Sequence, residues 1–404
     1  MSKLLKIALG IFTSIGGFLE VGAIATTAQA GAAFGFRLIW AVVLGTICVI
    51  FLVEMSGRLA AVSRHTIKDA LRERFGPRIF LLTLVSDGVI NLLVLAAEIG
   101  GMSLALQLVT GISFRWWAVP VGFLTWLLLW KGSFSLIENG VSLLGMVAVA
   151  FLVGAVMLDP PLNAMVRGAW PSLPTERPVH YWFTAVSILG AAISPYLFYF
   201  YSAGAIEDHW DEDEIGVNRA VATVGMSFGA ILAIAVLVVA AMVFHPHGIE
   251  PERYEQVALL LTSPLGRWGF YLFAATLLVS CLGAALEISL ATAYSFAQGL
   301  GWNWGEDVRP RDAARFSLVY TVMIALTSLL MVAGIDPLKL TLFSMALTSL
   351  TLPIVTFPFL ILMNDRDYVG EYGNHWIGNL AVIAISLLAS IIALVAIPLQ
   401  LMGG

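Results

Sequence analysis

The sequence predicts an all-α polytopic membrane protein built as an inverted repeat, and three observations carry that prediction. The composition is 59% hydrophobic and 12% charged over 404 residues, with a mean hydropathy of +0.91. That is more apolar surface than a soluble domain needs. Eleven apolar runs follow one another along the chain, long enough to cross a hydrocarbon core of ~30 Å. The first and sixth runs are each interrupted near the middle, at the same place in the two halves.

The runs span about 7–30, 35–57, 79–109, 115–131, 139–158, 180–204, 219–244, 267–298, 314–334, 338–363 and 376–401. The first carries Gly16-Gly17-Phe18-Leu19-Glu20-Val21-Gly22-Ala23, and the sixth carries Ser194-Pro195-Tyr196. A carboxylate among glycines and a mid-span proline both disfavour continuous helix. Irregular backbone at membrane depth survives only where it is buried in protein or lines a watery cavity. Matched breaks of this kind mark the central site of a secondary transporter, with substrate held between the broken spans. One transmembrane domain over 1–404 is expected, with repeat one about 7–158, repeat two about 180–363 and an extra helix about 376–401. The loops are short and polar, and the two longest, 159–179 and 245–266, contain proline and glycine. Lys3 and Lys6 before an apolar run resemble a signal peptide, but the run continues directly into the glycine-rich motif, so no cleavage is expected.

Charge sets the orientation. With the N-terminus cytoplasmic, fourteen of the 21 Lys and Arg residues lie inside, six of them between the second and third runs. The positive-inside rule then predicts a multi-pass protein of the plasma (inner) membrane, N-terminus in the cytoplasm and C-terminus outside. The acidic stretch from Glu207 to Glu214 falls on the cytoplasmic side, as a solvated loop or as a vestibule that draws cations. The net charge of −5 says little, and no run of like charge suggests a nucleic-acid partner. Cys48 and Cys281 lie inside apolar runs and read as small buried hydrophobes. Trp116, Trp117, Trp126, Trp130, Trp170 and Trp182 cluster toward span ends, as interface anchors do. There is no nucleophile–base pairing, phosphate loop or cofactor motif, so neither an enzyme nor a bound cofactor is expected. A monomer in the lipid bilayer is the expected state.

Polar residues within the spans are costly and usually functional. Glu20, flanked by glycines and free carbonyls, offers the oxygen set of a hard cation such as Mg²⁺, Ca²⁺ or Mn²⁺; the plain alternative is a structural strut. Ser194 adds a hydroxyl, and Pro195 frees carbonyls over 191–193. Asp87, Asn91 and Glu98 return to nearly one face of span 3, as an ion or proton route or as a packed hydrogen-bond network. Glu54 with Arg58 at i+4 reads as an ion pair, and Glu138 as a helix-start anion. Glu287 lies deep in span 8 and stands open between the two roles. Thr341, Ser344, Thr348 and Thr351 form a hydroxyl stripe on span 10, lining the pathway or bonding between helices. All six histidines fall in loops or at span ends, which argues against a buried histidine proton relay.

Several stretches resemble a known family. Ala30-Gly31-Ala32-Ala33-Phe34-Gly35-Phe36-Arg37-Leu38-Ile39-Trp40 is similar to the end of the first span and following loop of the Nramp divalent-metal transporters. Asn364-Asp365-Arg366-Asp367-Tyr368-Val369-Gly370-Glu371-Tyr372 resembles their loop after span 10, and Ala97-Glu98-Ile99-Gly100 fits their span 3. The resemblance covers nearly the whole chain and implies a LeuT-like fold, with two five-helix repeats plus an extra helix and with helices 1 and 6 broken. Where the family reads Asp-Pro-Gly-Asn, this chain has Glu20-Val21-Gly22-Ala23. Where the family reads Met-Pro-His, it has Ser194-Pro195-Tyr196. Tyr201 stands at a second histidine position, Met345 at a glutamine ligand and Leu95 at a proton-carrying aspartate.

These departures point one way. A thioether favours softer transition metals, so Ser194 in its place removes discrimination against Mg²⁺ and Ca²⁺. Ala23 widens the site for an ion that keeps part of its water shell, as Mg²⁺ does. This is similar to the Nramp-related magnesium transporters, a divergent prokaryotic branch. The expected function is therefore transport of Mg²⁺ or Mn²⁺ by alternating access, weakly proton-coupled or uncoupled. Glu20 and Ser194 would coordinate, with carbonyls of Gly17, Ala191 and Ala192. Pathway or coupling candidates are Gly22, Ala23, Asp87, Asn91, Glu98, Tyr196, Tyr201, Glu287, Ser344, Met345 and Thr348. An alternative on the same fold is a small organic solute or amino acid, its ammonium paired with Glu20 and its carboxylate at the half-helix N-termini. A non-transporting sensor or scaffold is a third reading, disfavoured by the lack of an appended soluble domain.

Overall fold

A computed structural model describes residues 20–131, 146–305 and 308–402, and the described residues form helices joined by turns and loops, with no strand among them. Gly17 and Glu138 therefore lie outside the described residues. The first half holds α1 (Val21–Phe34), α2 (Ile39–Ser63), α3 (Ile67–Thr110), α4 (Phe114–Lys131), α5 (Val149–Met157) and the short α6 (Leu162–Gly168). The second half begins with α7 (Pro178–Ala192) and α8 (Pro195–Glu207), followed by α9 (Ile215–Val243). Two short helices, α10 (Tyr254–Val257) and α11 (Leu259–Leu265), precede the long α12 (Arg267–Leu300). Then come α13 (Ala314–Val332), α14 (Pro337–Leu362), the one-turn α15 (Arg366–Val369) and α16 (Trp376–Leu401).

Among the described residues, eight helical stretches are long and apolar enough to cross a membrane, counting 178–207 as one across its break. α1, α4 and α5 occupy the places of the first, fourth and fifth apolar runs. Two of the expected loops are partly helical: α6 lies within 159–179, and α10 and α11 lie within 245–266. α3 begins at Ile67, inside the charged stretch that hydropathy reads as a loop. Its start is specified locally, because the Thr66 side chain accepts from the Asp69 N–H, a capping arrangement that satisfies an otherwise orphaned donor. The helix kinks at Gly76, whose φ of 72° is a left-handed value that only glycine adopts freely, immediately before Pro77.

The central packing brings α3 against α12 and α14, α1 against α9 and α7, and α2 against α7, α8 and α9. α1, nearly all of whose side chains are buried, runs through the middle of the bundle. At the periphery, large apolar side chains of α4, α13 and α16 stay exposed, among them Trp116, Phe123, Leu318, Leu329, Ile391 and Leu394. In water such a surface is a liability; in hydrocarbon it is the outer face of a helical membrane protein, whose backbone groups are satisfied within helices.

Candidate functional site

The two breaks meet at Glu20. This residue is the N-cap of α1, in an extended conformation (φ −80°, ψ 175°), and it is fully buried. α7 ends at Ala192, Ile193 leaves helical geometry, and Ser194 is the extended N-cap of α8. Pro195 has no N–H, so the Ala191 carbonyl loses its helical donor. Ser194 Oγ lies 3.3 Å from that carbonyl and 3.3 Å from the carbonyl of Gly190. The same hydroxyl is 3.2 Å from Glu20 Oε1, and the Tyr196 hydroxyl donates to Glu20 Oε2 at 2.6 Å.

The fields of the helix ends agree with this placement. The N-termini of α1 and α8 are partially positive and favour a carboxylate beside them; the C-terminal carbonyls of α7 are partially negative and favour a cation. Glu98 of α3, fully buried, accepts from the Val21 N–H at 3.4 Å. Its other oxygen, Oε1, has no hydrogen-bond partner among the described residues. Cys281 of α12 lies against Glu98. Glu287, half-buried on α12, is near enough for its charge to act on Glu98 and Tyr196.

The structure thus brings Glu20, Ser194, Ala191, Tyr196 and Glu98 together, with Ala192 closing α7 beside them. Gly22 and Ala23 lie in the first turn of α1, where their carbonyls accept from the hydroxyls of Thr26 (2.8 Å) and Thr27 (2.5 Å). Met345 of α14 packs against Gly22. The polar stripe on α3 does not form one network. Asn91 donates to Thr292 of α12 at 3.0 Å, while Asp87 pairs with the buried Lys68. Ser344 and Thr348 bond carbonyls of their own helix, those of Thr341 and Ser344. Tyr201 sits with Gly57 of α2 and Trp210, its hydroxyl unpartnered among the described residues. Glu54 and Arg58 form the expected i,i+4 pair at 2.9 Å.

Sequence reasoning missed Lys68, read only as an inside loop charge, and the Cys281 and Val21 contacts to Glu98. The Thr66–Asp69 spacing was the one available signal that the loop is a helix. Among the described residues no group of three or more His, Cys, Asp or Glu side chains is placed to hold a metal. The donors around Glu20 are therefore hydroxyl and carbonyl oxygens rather than a carboxylate–imidazole cluster.

Comparison with known proteins bears on this geometry. The family model described as natural resistance-associated macrophage protein-like (Nramp) matches residues 10–398. A divalent metal cation transporter MntH from Deinococcus radiodurans is 27% identical over 363 residues, covering 87% of this chain and 80% of the relative. One from Bradyrhizobium diazoefficiens is 28% identical over 379 residues, covering 90% and 82%. A crystal structure of the Eremococcus coleocola manganese transporter superposes with a TM-score of 0.80 at 18% identity, covering 99% of this chain and 87% of that one. Mhp1, a nucleobase-cation-symport-1 family transporter, gives 0.66 at 15% identity, covering 97% and 92%. These likenesses show the LeuT-like fold. With the family model spanning almost the entire sequence, the chain belongs to the Nramp family.

Proposed function

We propose that this protein carries a divalent metal cation of the Mg²⁺ or Mn²⁺ class across the membrane by alternating access, and that the cation rests against Glu20. The observation that carries the reading is a fully buried carboxylate set between two chain breaks, with no Lys, Arg or His pairing with it among the described residues. A buried carboxylate is expensive unless its charge is met. Its described neighbours supply hydroxyl donors and carbonyl oxygens, and an arriving cation supplies the missing positive charge. The names of the curated relatives, divalent metal cation transporters, support the same substrate class.

The residues act in a simple sequence. An ion entering between the half-helices trades water for the Glu20 carboxylate. Ser194 turns its single proton toward a carbonyl and presents lone pairs, and the Ala191 carbonyl joins it; the carbonyl of Ala192 extends the set. Tyr196 holds Oε2 in place and leaves Oε1 on the side of the ion. Release follows when the half-helices α1 and α8 swing and the carbonyls separate. No histidine stands at either break, and phenols do not exchange protons near neutral pH, so the cycle moves few or no protons. The chain sits in the plasma (inner) membrane with its N-terminus in the cytoplasm. Uptake of Mg²⁺ and Mn²⁺ into proteoliposomes, paired with Glu20→Gln, tests the reading. Saturable uptake lost in the variant supports it, and uptake of neither ion by well-folded protein overturns it. A pH-sensitive dye in the lumen reads the coupling: acidification that tracks metal entry would overturn the uncoupled cycle.

A further inference from the structure

Resting on that reading, we infer that Met345 supplies a thioether ligand to the transported cation and sets its preference toward softer divalent metals. The observation is a close approach that Gly22 alone permits. A Cβ at Gly22 would lie 2.8 Å from Met345 Sδ and 3.1 Å from Glu20 Oε1. The sulfur and the carboxylate oxygen thus crowd the same small volume at the first turn of α1. The α14 backbone is fixed there from the other side, because a Cβ at Gly190 would collide with the Met345 carbonyl. Gly190 is in turn one of the two carbonyls beside Ser194 Oγ. Met345 is therefore held at the point where the end of α7 and the start of α1 converge, fully buried.

The chemistry follows from the donor set. Oxygen donors alone do not separate Mn²⁺ from Mg²⁺ strongly, whereas a polarizable thioether binds Mn²⁺ and Cd²⁺ and gives little to Mg²⁺ or Ca²⁺. Ser194 leaves the start of α8 without a thioether, and Met345 brings one from α14 toward the same carboxylate. The unbranched methionine side chain reaches into the gap that Gly22 leaves. A side chain at position 22 would expel it.

The test uses the full-length protein in proteoliposomes with Cd²⁺ as probe, read by X-ray absorption at the cadmium edge. The wild type should show a sulfur neighbour; Met345→Leu, which conserves volume and should fold, should lose it; Cys281→Ser should keep it. In competition uptake, Met345→Leu should lower the Mn²⁺-to-Mg²⁺ preference by about tenfold, the scale expected for one soft ligand. Cd²⁺ bound in a Glu20-dependent way without a sulfur neighbour, or with one that persists in Met345→Leu, overturns the thioether and leaves the site at Glu20. Absence of any Glu20-dependent binding overturns the reading of the site and the thioether with it.

Discussion

Glu20 and Asp87 are both carboxylates buried in the bundle, and they are handled in opposite ways. Asp87 has its own cation. The Lys68 ammonium reaches it from the first turn of α3, across the kink at Gly76, and also lies 3.9 Å above the ring of Tyr199. Among the described residues, Glu20 has hydroxyl donors, from Ser194 and Tyr196, and no side-chain cation. Both side chains pay the desolvation of a charge, so the difference lies in who meets it. Where the chain supplies the cation, the carboxylate is a fastening between segments. Where it does not, the proposed function assigns the carboxylate to an ion from outside.

The largest effect should come from neutralising the Glu20 carboxylate. Glu20→Gln keeps size and hydrogen-bonding capacity but removes the charge an ion must meet, so metal uptake should fall to background while the protein still folds. Size-exclusion behaviour and uptake together measure this. Full uptake by the variant would erase the contrast, because Glu20 would then be a strut like Asp87.

The fastening should fail differently. Lys68→Met strands the Asp87 carboxylate without a counter-charge, which should destabilise the protein by ~3–5 kcal/mol. Adding Asp87→Leu should restore most of that loss, since replacing both members of a buried pair by apolar groups is commonly neutral. Thermal unfolding of the two variants in detergent measures the difference. If Lys68→Met alone is as stable as the wild type, Asp87 does not depend on it and the comparison collapses from the other end.

A smaller effect sharpens the site itself. Ser194→Met puts a thioether at the start of α8 and should raise the Mn²⁺-to-Mg²⁺ preference by about tenfold, read by competition uptake. An unchanged ratio would mean that residue 194 does not touch the ion.

Much of this was legible in the sequence because it rests on residues that carry their physics alone. Pro195 cannot donate to Ala191 wherever it stands, and a carboxylate among glycines within an apolar run announces itself. Hydropathy locates the apolar runs, and eight of the helical stretches among the described residues are long and apolar enough to cross a membrane. Lys68 was not legible for a physical reason: it belongs to a polar stretch, and its burial arises only when the chain folds back across Gly76. Met345 against Gly22 joins positions far apart in sequence, and no local pattern encodes that contact. The hydroxyl stripe on α14 is divided: Ser344 and Thr348 bond their own backbone, as a serine or threonine within a helix readily does, while Thr341 accepts from the Tyr254 hydroxyl at 3.3 Å, a bond between helices.

A third carboxylate gives the smallest effect and a control for the other two. Arg74, just before the kink, bonds Asp365 at 2.7 Å, tying α3 to the loop after α14. The Asp365 carboxyl is held below the usual carboxylate range first by the Asp367 N–H and then by Arg74. A depressed value means that the charged contact is complete above the ordinary carboxylate range and is lost only as pH falls through the lowered one, so it is intact at neutral pH. The Arg74 side chain is half exposed, and solvent screens such pairs until they contribute little. Arg74→Ala should therefore leave metal uptake and the melting temperature at neutral pH unchanged, because the larger hold on Asp365, the Asp367 N–H, survives. A large loss of stability would show that this surface contact fastens the kink as firmly as Lys68 does, and that burial is not what separates the two.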